Sequence, residues 1–342
     1  MKVADADDLY AVVRSRWGIT MDRYEWAILG AGALGSIIGA HLSRSGHKVV
    51  LLARGQRAHA IEQEGLRVQG LQEFTQRVPV LSDPSQFKGA DVFVVATKTY
   101  NTQTALEPYR HAAIGTAFSV QNGVMKDDQL AGLWGKEHVL GALADTSGEL
   151  LSNGEVLFTR NERIYVGELQ GDRSERSRLI ADVMDSSGVR ASAVTNIESL
   201  EWSKYAAWVG LMALAVTTRA ATWKFMIDPD LASVLAKLVR EMGVLAAARK
   251  IPLSNQSPLP VATIIQGSES EAAAIIQAGG RELQTKAPGH RMSALQDLDA
   301  GRTLEVEETL GYAAREAARL KLPLPNIATL YSMVAGINRI RR

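Results

Sequence analysis

The chain has 342 residues, 46% of them hydrophobic, and a chain of this length is expected to fold as about two domains. Its formal net charge of +1 argues against nucleic acid or an acidic membrane surface as a partner. The absence of cysteine excludes disulfide bonds, thiolate catalysis and Cys-ligated metals, and the six histidines lack the spacing of metal ligands.

The first 24 residues are polar and mixed in charge, without the apolar segment of a signal peptide. Met21 stands just before the first predicted strand, so residues 1–24 are predicted to be an N-terminal extension. The longest apolar run, residues 206–216, covers about half of the length that a membrane span requires. These features predict a cytoplasmic protein without a membrane anchor.

The stretch from Trp26 to Arg54 predicts the first unit of a dinucleotide-binding fold. An apolar run meets the pattern G-x-G-x-x-G at Gly30, Gly32 and Gly35. Apolar residues then recur at helical spacing, and a second apolar run follows. Strand, tight turn, helix and strand in this order are the context that the motif requires. A glycine-rich turn in another kind of α/β protein is the alternative.

Each glycine has a physical role in such a motif. Gly30 permits the tight turn, Gly32 lets the backbone approach a pyrophosphate, and Gly35 lets the helix pack against the strand. Where an NAD site places Asp or Glu after the second strand, this chain has Arg54, followed by Arg57. A cation there favours NADP(H) over NAD(H), and a solvated surface arginine is the alternative.

Two polar residues follow further predicted strands. The run Ala90 to Ala96 is almost continuously apolar, as in a strand buried on both faces of a parallel sheet, and Thr116 to Val120 forms the next strand. Lys98 and Asn122 come just after these strands, where ligands of open α/β sheets bind. Both are therefore candidate site residues.

The remaining pattern divides the chain near residue 196. Residues 155–167 alternate around Asn161-Glu162 and predict a β-hairpin with its turn there. Beyond this region the pattern becomes helical and is punctuated by prolines. The predicted helices span about 197–219, 230–250, 260–266, 270–285, 303–320 and 326–340. We therefore predict a doubly wound α/β domain at 25–195 and an all-α domain at 196–342, with a cleft between them.

Lys204 is the candidate proton donor that a nicotinamide-dependent reductase needs beside the carbonyl group. It lies on the first long helix of the second half, in E-S-L-E-W-S-K-Y-A-A-W. A lysine that is partly desolvated in a cleft becomes a useful acid near neutral pH. Spacing alone does not distinguish it from a solvated helix lysine.

Ser293 and Glu305 are further candidates, each with a structural alternative. Ser293 could be a helix cap near Ala294. Glu305 could lie in the first turn of a helix capped by Thr303, where the helix dipole favours carboxylates. Spacing alone favours this capping role for Glu305.

Taken together, these pieces resemble the ketopantoate reductase (2-dehydropantoate 2-reductase) family over nearly all of the chain except residues 1–24. The matching pieces are G-A-G-A-L-G at 30–35, L-A-R-G at 52–55, T-K-T-Y-N-T at 97–102, Q-N-G at 121–123, W-S-K at 202–204 and S-A-L-Q-D-L-x-x-G-R-T-L-E at 293–305. The resemblance implies an NADPH-dependent reductase of a 2-oxo acid in pantothenate biosynthesis. It also implies a Rossmann-type domain followed by a helical domain like the C-terminal domain of 6-phosphogluconate dehydrogenase.

The resemblance implies a cofactor site in the first half of the chain. The pyrophosphate would be held by Gly30, Ala31, Gly32, Ala33, Leu34 and Gly35. Arg54 would take the 2′-phosphate of NADP(H), and Lys98 would lie against the cofactor. Asn122 would hold the nicotinamide ribose and help to orient the catalytic acid.

The resemblance also implies the reacting groups. Lys204 would be the general acid that protonates the new alkoxide, and Ser293 would bind the substrate carboxylate. Glu305 would contact the substrate or Lys204 and tune the site.

One departure from the family pattern concerns the substrate. The pattern after the lysine resembles K-L-x-x-N-x-x-x-N, and this chain has Trp208 and Met212 in place of the two asparagines. A pocket that is apolar at these positions favours a bulkier or more apolar carbonyl compound than ketopantoate. The alternative is that both side chains pack in the core and that other residues bind ketopantoate.

Two other functions stay open from the sequence. One is a related dehydrogenase that acts on a different carbonyl or imine substrate, and the other is a non-catalytic NADP(H)-binding sensor. A sensor would not need Lys204, Asn122, Ser293 and Glu305. The apolar C-terminal helices could form a homodimer interface or only the core of their own domain.

Overall fold

The computed structural model describes residues 23–255 and 258–341. The described chain divides into two compact units. The first comprises the residues up to Gln121 together with Lys126–Ile197, and the second comprises Asn122–Met125 together with the residues from Glu198 onward. The predicted extension at 1–24 lies almost entirely outside the described residues.

The first unit alternates strands and helices along the chain. Its elements are β1 (Tyr24–Leu29), α1 (Ala33–Arg44), β2 (Val49–Leu52), α2 (Gly55–Glu64), β3 (Leu66–Gly70), β4 (Phe74–Gln76), β5 (Val80–Leu81), β6 (Gly89–Val95), α3 (Thr102–Leu106), β7 (Ala113–Ser119), α4 (Lys126–Trp134), β8 (Leu140–Leu150), β9 (Val156–Glu168), α5 (Glu175–Ser186) and β10 (Ala191–Ala193). Five of the strands form a parallel sheet in the order β5-β2-β1-β6-β7.

The parallel sheet is buried on both faces. Successive side chains of a strand point to opposite faces, so Ile28 and Val94 enter one core while Ala27 and Phe93 enter the other. A sheet covered on both sides requires strands that are apolar almost throughout, as the run in β6 is. The doubly wound arrangement predicted from the sequence is confirmed.

A second sheet has the order β10-β9-β3-β4, with β8 paired to β9. Helix α1 packs against β8 and β9 of this sheet as well as against β1 and β2 of the parallel sheet. The side chains of Ile37 and Ile38 on α1 are fully buried in the core that the two sheets share. The helix that follows the glycine motif is thus held on two sides.

The predicted hairpin at 155–167 is wrong. These residues belong mainly to one continuous strand, β9, which runs antiparallel to β8, and the chain reverses at Asn153-Gly154 instead. Gly154 has a φ of +85°, a conformation that glycine adopts without steric cost. Asn161 lies within β9 and not in a turn. Its side-chain amide donates to the carbonyl oxygen of Gly188 and accepts from the backbone N–H of Arg190, in the segment that leads into β10.

The second unit is helical. Its elements are α6 (Ile197–Thr218), α7 (Thr222–Ile227), α8 (Pro229–Ala248), α9 (Val261–Gln266), α10 (Glu269–Lys286), α11 (Ser293–Asp299), α12 (Leu310–Arg319) and α13 (Pro325–Ile340). Helix α6 is apolar on all sides and buried along most of its length, as expected of a helix at the centre of a domain. The predicted helical second half is confirmed. Helices α7 and α11 were not predicted, because their six and seven residues are too few to show a helical period.

A remote carboxylate orders the start of α13. Glu241 on α8 accepts hydrogen bonds from the backbone N–H groups of Asn326 (3.0 Å) and Ile327 (2.8 Å). The first N–H groups of a helix have no partner within the helix, so Glu241 supplies a cap from a neighbouring element. Nowhere in residues 23–255 and 258–341 is a helix both long and apolar enough to cross a membrane.

Candidate active site

The carboxyl ends of the parallel strands meet at one edge of the first unit. Leu29 of β1 is in register with Leu52 of β2 and with Val95 of β6, and Val95 is in register with Ser119 of β7. The residues just beyond the four strand ends therefore lie along the same edge, namely Gly30, Ala53, Ala96 and Val120. Ligands of open α/β sheets bind at this edge.

Two of the motif glycines are required by the packing of the protein itself. Gly30 has a φ of +103°, and a Cβ there would come within 2.9 Å of the backbone N of Thr97. A Cβ on Gly35 would overlap the carbonyl oxygen of Gly30. These two positions accept only glycine whether or not a ligand binds.

Gly32 differs, because nothing in the described protein requires a glycine there. The nearest atom to a Cβ on Gly32 would be the carbonyl oxygen of Ala96, at 4.0 Å. Gly32 is also the N-cap of α1, which has neither a side-chain cap nor an acidic residue in its first turn among the described residues. The backbone N–H groups at the start of α1 are thus left to an anion, and the space beside Gly32 suits the diphosphate of a dinucleotide.

Arg54 lies at the end of β2, one residue beyond the edge. It is exposed, precedes α2 as its N-cap, and makes no ion pair within the described part of the chain. Burial raises the pKa of the Tyr109 hydroxyl, and the positive charge of Arg54 acts against that rise. Arg54 is thus a cation that does not hold the fold together and can meet an anionic ligand.

Gln121 is a buried residue of the site that the sequence reasoning missed. Its side-chain N–H groups donate to the carbonyl oxygen of Thr97 (2.8 Å) and to the hydroxyl of Thr102 (2.7 Å). Its side-chain oxygen accepts from the hydroxyl of Ser119 at 2.9 Å. The amide therefore fixes the loop on which half-buried Lys98 lies, between β6 and α3. A polar residue directly after a buried strand was the available signal.

Lys204 is half-buried on α6, and its neighbours anchor the helix. The hydroxyl of Ser203 accepts from the backbone N–H of Ser254 (2.8 Å), and the ring of Trp202 packs under the guanidinium of Arg249. Trp208 and Met212 follow Lys204 by about one and two helical turns, so they lie on its face of the helix. Trp208 is 7% exposed and Met212 is 1% exposed, so this face passes from a half-buried lysine into the helical core.

The capping role considered for Glu305 is wrong. Helix α12 begins at Leu310, so Glu305 lies in a non-helical segment and is 9% exposed. The segment is held by contacts from elsewhere in the unit. The hydroxyl of Tyr205 donates to the carbonyl oxygen of Thr309 (2.7 Å), and the hydroxyl of Thr309 donates to the carbonyl oxygen of Glu305. Tyr205 adjoins Lys204 in sequence, so α6 directly supports the segment that carries Glu305.

The capping role considered for Ser293 is also wrong. Ser293 is the first residue of α11, and the N-cap position belongs to Met292 without a side-chain hydrogen bond. The loop before it is tied to α7, since the backbone N–H of Thr222 donates to the carbonyl oxygen of His290 at 3.0 Å. Half-buried Ser293 therefore follows a loop that α7 positions.

Asn122 belongs to the short segment that groups with the second unit. It is half-buried, and the next residue, Gly123, has a φ of +84°. A Cβ on Gly123 would lie 3.4 Å from the carbonyl oxygen of Glu308. The positive φ favours glycine at position 123, and the Asn122 segment lies against the segment that carries Glu305 and Glu308.

Glu308 is a second residue that the sequence reasoning missed. One of its carboxyl oxygens is buried without a hydrogen-bond partner in the structure. Burial, followed by the negative charges of Glu305 and Glu307, raises the pKa of the Glu308 carboxyl above its ordinary value of 4.5. The folded chain therefore binds this proton more tightly than the unfolded chain does.

We expect Glu308→Gln to stabilise the protein above neutral pH. Because the pKa is raised on folding, the stability contributed by Glu308 is present below pH 4.5 and is lost as the pH rises through the folded-state pKa. With solvent screening at this half-buried position, the gain should be about 2–4 °C in Tm at pH 8 and should vanish near pH 4. The exposed Glu62 on α2 is the control, and Glu62→Gln should give no gain. A Tm for Glu308→Gln that is unchanged at pH 8 would contradict this account.

One cavity lies at the opposite edge of the parallel sheet. It has a volume of about 270 Å³ and is lined by Arg23, Trp134, His138 and the first residues of β7. It is therefore separate from the carboxyl ends of the strands. Within the described ranges, no group of three His, Asp or Glu side chains is placed to hold a metal ion.

Comparison with known proteins agrees with the resemblance noted in the sequence. The family model "Ketopantoate reductase PanE/ApbA" matches residues 26–171, and the model of the C-terminal part of the same family matches residues 196–338. A 2-dehydropantoate 2-reductase of Archaeoglobus fulgidus is 30% identical over 310 residues, which cover 91% of this chain and 96% of that protein.

Solved structures share the fold over almost the whole chain. A PanE/ApbA family ketopantoate reductase from Ralstonia eutropha JMP134 has a TM-score of 0.77 at 26% identity and covers 92% of this chain and 99% of its own. A D-mandelate dehydrogenase in a ternary structure with NADH and anilino(oxo)acetate has a TM-score of 0.81 at 19% identity, with coverage of 92% and 98%. From the family models and these relatives, the chain belongs to the ketopantoate reductase PanE/ApbA family and is an oxidoreductase.

Proposed function

We propose that this protein is an NADPH-dependent reductase of 2-oxo acids, with a cofactor domain at 25–195 and a catalytic domain at 196–342. The environment of Gly32 is the main observation that supports the proposal. Gly30 and Gly35 are fixed by internal packing, whereas Gly32 leaves open space before an uncapped helix N-terminus. Such a start of a helix binds phosphate groups.

The proposed cofactor residues follow the carboxyl ends of the parallel strands in the chain, and Asn122 among them belongs to the short segment that groups with the second unit. The diphosphate would be held by Gly30, Ala31, Gly32, Ala33, Leu34 and Gly35. Arg54 would bind the 2′-phosphate, Lys98 would lie against the cofactor, and Asn122 would bind the nicotinamide ribose. When bound, NADPH supplies the hydride that the carbonyl carbon receives.

The proposed reacting groups belong to the second unit. Lys204 holds the proton that the carbonyl oxygen receives as the alkoxide forms. Ser293 binds the carboxylate of the 2-oxo acid, and Glu305 contacts the substrate or Lys204. The burial of Glu305 outside any helix supports a functional role, since the capping explanation no longer applies.

The choice between NADPH and NADH should depend on Arg54. Arg54→Ala should lower kcat/KM for NADPH by about 10- to 100-fold, the effect of losing a hydrogen bond to a charged group. The value for NADH should change little, because NADH has no 2′-phosphate. Steady-state rates with both cofactors check this expectation, and an equal loss with both would contradict the role of Arg54.

We further propose that the substrate is a bulkier or more apolar 2-oxo acid than ketopantoate. Trp208 is buried, but it lies one helical turn beyond half-buried Lys204 on the same face of α6, which supports a role beside the proposed acid. Met212 is buried in the helical core, which favours the packing explanation for that residue. The family pattern has hydrogen-bonding asparagines at these positions. Large apolar side chains in their place favour a substrate that presents an apolar group there, because a polar substrate group would be left without a hydrogen bond.

The test is NADPH oxidation with ketopantoate beside 2-oxo acids that carry larger aliphatic or aromatic groups. A higher kcat/KM for a bulkier acid supports the proposed substrate class, and a preference for ketopantoate contradicts it. Turnover of other carbonyl or imine compounds alone would favour the related-dehydrogenase alternative. NADPH binding without turnover of any of them would favour the sensor.

A further inference from the structure

Arg57 on α2 joins three separate parts of the first unit. Its Nε donates to the carbonyl oxygen of Ala31 (3.0 Å), its Nη1 to the carbonyl oxygen of Gly154 (2.7 Å) and its Nη2 to the hydroxyl of Ser36 (3.1 Å). The hydroxyl of Ser36 also donates to the carbonyl oxygen of Ala31, at 3.1 Å. The guanidinium therefore connects the glycine motif, the first turns of α1 and the turn between β8 and β9.

The turn between β8 and β9 is shaped to receive this side chain. A Cβ on Gly154 would lie 3.6 Å from Nη1 of Arg57, and the φ of +85° at Gly154 favours glycine. The distance is an ordinary contact, so it is the φ of Gly154 that favours glycine in the turn whose carbonyl oxygen accepts from Arg57. The second sheet thus contributes a direct contact to the residue that holds the glycine motif.

The charge of Arg57 is not neutralised by a carboxylate. It forms no ion pair among residues 23–255 and 258–341, and its three acceptors are two backbone carbonyls and a hydroxyl. Burial lowers the pKa of the guanidinium, but arginine stays protonated in proteins. Its positive charge therefore adds to that of the helix N-terminus beside Gly32.

The contact with Ala31 also has a geometric effect on the motif. A loop that binds a diphosphate must present N–H groups to it, and a carbonyl oxygen turned toward the phosphates would repel them. The carbonyl of Ala31 accepts from both Arg57 and Ser36, which fixes its direction. The N–H groups that follow it are fixed at the same time.

We propose that Arg57 is a positioning residue for the diphosphate of the cofactor, and that it acts equally on NADP(H) and NAD(H). Arg54, by contrast, would act only on the 2′-phosphate. The two arginines that follow β2 would then have separate tasks, one in binding either dinucleotide and one in choosing between them. This inference rests on the proposed function, since it assumes that the first unit binds a nicotinamide dinucleotide.

The test is equilibrium binding to the purified full-length chain, measured by calorimetry with NADPH, NADH and adenosine 2′-phosphate. The last ligand has the 2′-phosphate but no diphosphate. Arg57→Met should raise the Kd for NADPH and NADH by a similar factor of about ten, and should leave adenosine 2′-phosphate unchanged. Arg54→Ala should weaken NADPH and adenosine 2′-phosphate and leave NADH unchanged.

Two further variants make the result specific. Arg178→Met removes an exposed arginine that pairs with Asp182 on α5 in the same unit, and it should change no Kd. Ser36→Ala removes one acceptor of Arg57 and one donor to Ala31, and it should weaken both dinucleotides in the same ratio. Ser36→Ala also tests the proposal if Arg57→Met fails to fold.

Four results would overturn the proposal. If Arg57→Met weakened only NADPH and adenosine 2′-phosphate, Arg57 would be a 2′-phosphate ligand. If Arg57→Met and Ser36→Ala both left the dinucleotides unchanged, or if Arg57→Met weakened all three ligands alike, Arg57 would not act at the diphosphate. If the wild-type chain bound neither dinucleotide, the proposed function would fail together with this inference. If the wild-type chain bound both, a negative result for the variants would count against the role of Arg57 alone.

Discussion

Lys204→Ala should lower kcat by roughly 10²–10⁴-fold, the usual contribution of a positioned general acid, and should leave NADPH binding unchanged. Without a donor, the oxygen of the reduced carbonyl must take its proton from water. Lys204 is half-buried on α6, and the helix is anchored beside it through Ser203 and Trp202. A lysine on a fixed helix can be held in one geometry relative to the substrate, which is what proton transfer requires.

The comparison variant is Lys237→Ala on α8, which removes an exposed lysine from the same unit and should keep full activity. Kinetics at saturating NADPH and substrate separate kcat from KM, and calorimetry with NADPH checks binding. Addition of a small primary amine should partly restore the rate of Lys204→Ala. Wild-type turnover by Lys204→Ala would exclude Lys204 as the acid.

Gly35→Ala and Gly32→Ala should fail in different ways, although both replace a motif glycine by the same residue. A Cβ on Gly35 would overlap the carbonyl oxygen of Gly30, so the strand, the turn and α1 would have to move apart. Overpacking of this kind costs about 3 kcal/mol or more, which corresponds to a fall in Tm of roughly 6–12 °C. Gly35→Ala should therefore lose both stability and cofactor binding.

Gly32→Ala is the matched control for Gly35→Ala. Apart from its chain neighbours, no described atom would lie closer than 4.0 Å to a Cβ on Gly32, so the Tm should stay within about 2 °C of wild type. The added methyl group would occupy the space proposed for the diphosphate, so the Kd for NADPH should rise by at least about tenfold. Unchanged NADPH binding by Gly32→Ala would mean that the diphosphate does not lie beside Gly32.

The first unit could be predicted from the sequence because its signals are local. The strand, glycine turn and helix from β1 to α1 follow from residues that are neighbours in the chain, and the long apolar run of β6 fixes a buried parallel strand. The turn of the hairpin was predicted at the wrong position because two local turn signals competed. Asn161 resembled a turn residue, whereas the true turn carried the stronger signal Asn153-Gly154.

The helical class of the second unit could be predicted from the sequence, but the backbone conformation around Glu305 could not. Thr303 followed by several glutamates is the local pattern of a helix start, yet the segment is held in another conformation by distant groups. Asn338 on α13 accepts from the backbone N–H of Leu304 (3.1 Å), and Tyr205 on α6 bonds to Thr309. These partners are 34 and 104 residues away, so no window of sequence around Glu305 could reveal them.

Arg54 and Arg57 also differ through contacts that are distant in sequence. The sequence showed two arginines after β2 and favoured NADP(H), but it could not tell which of them faces a ligand. In the structure Arg54 is exposed. Arg57 donates hydrogen bonds to three acceptors, one of which lies 97 residues away in the turn between β8 and β9. Only the fold could separate an exposed arginine from one that supports the glycine motif.

The most direct test of the central claim is transfer of deuterium from NADPH labelled at C4 of the nicotinamide to a 2-oxo acid. We expect mass spectrometry to show one deuterium at C2 of a 2-hydroxy acid product when one of the two C4 hydrogens of NADPH is replaced by deuterium. When the other C4 hydrogen is replaced, the product should contain no deuterium. Lys204→Ala should form the same labelled product more slowly. A product without the label from either form of NADPH, or no product from any 2-oxo acid, would contradict the account.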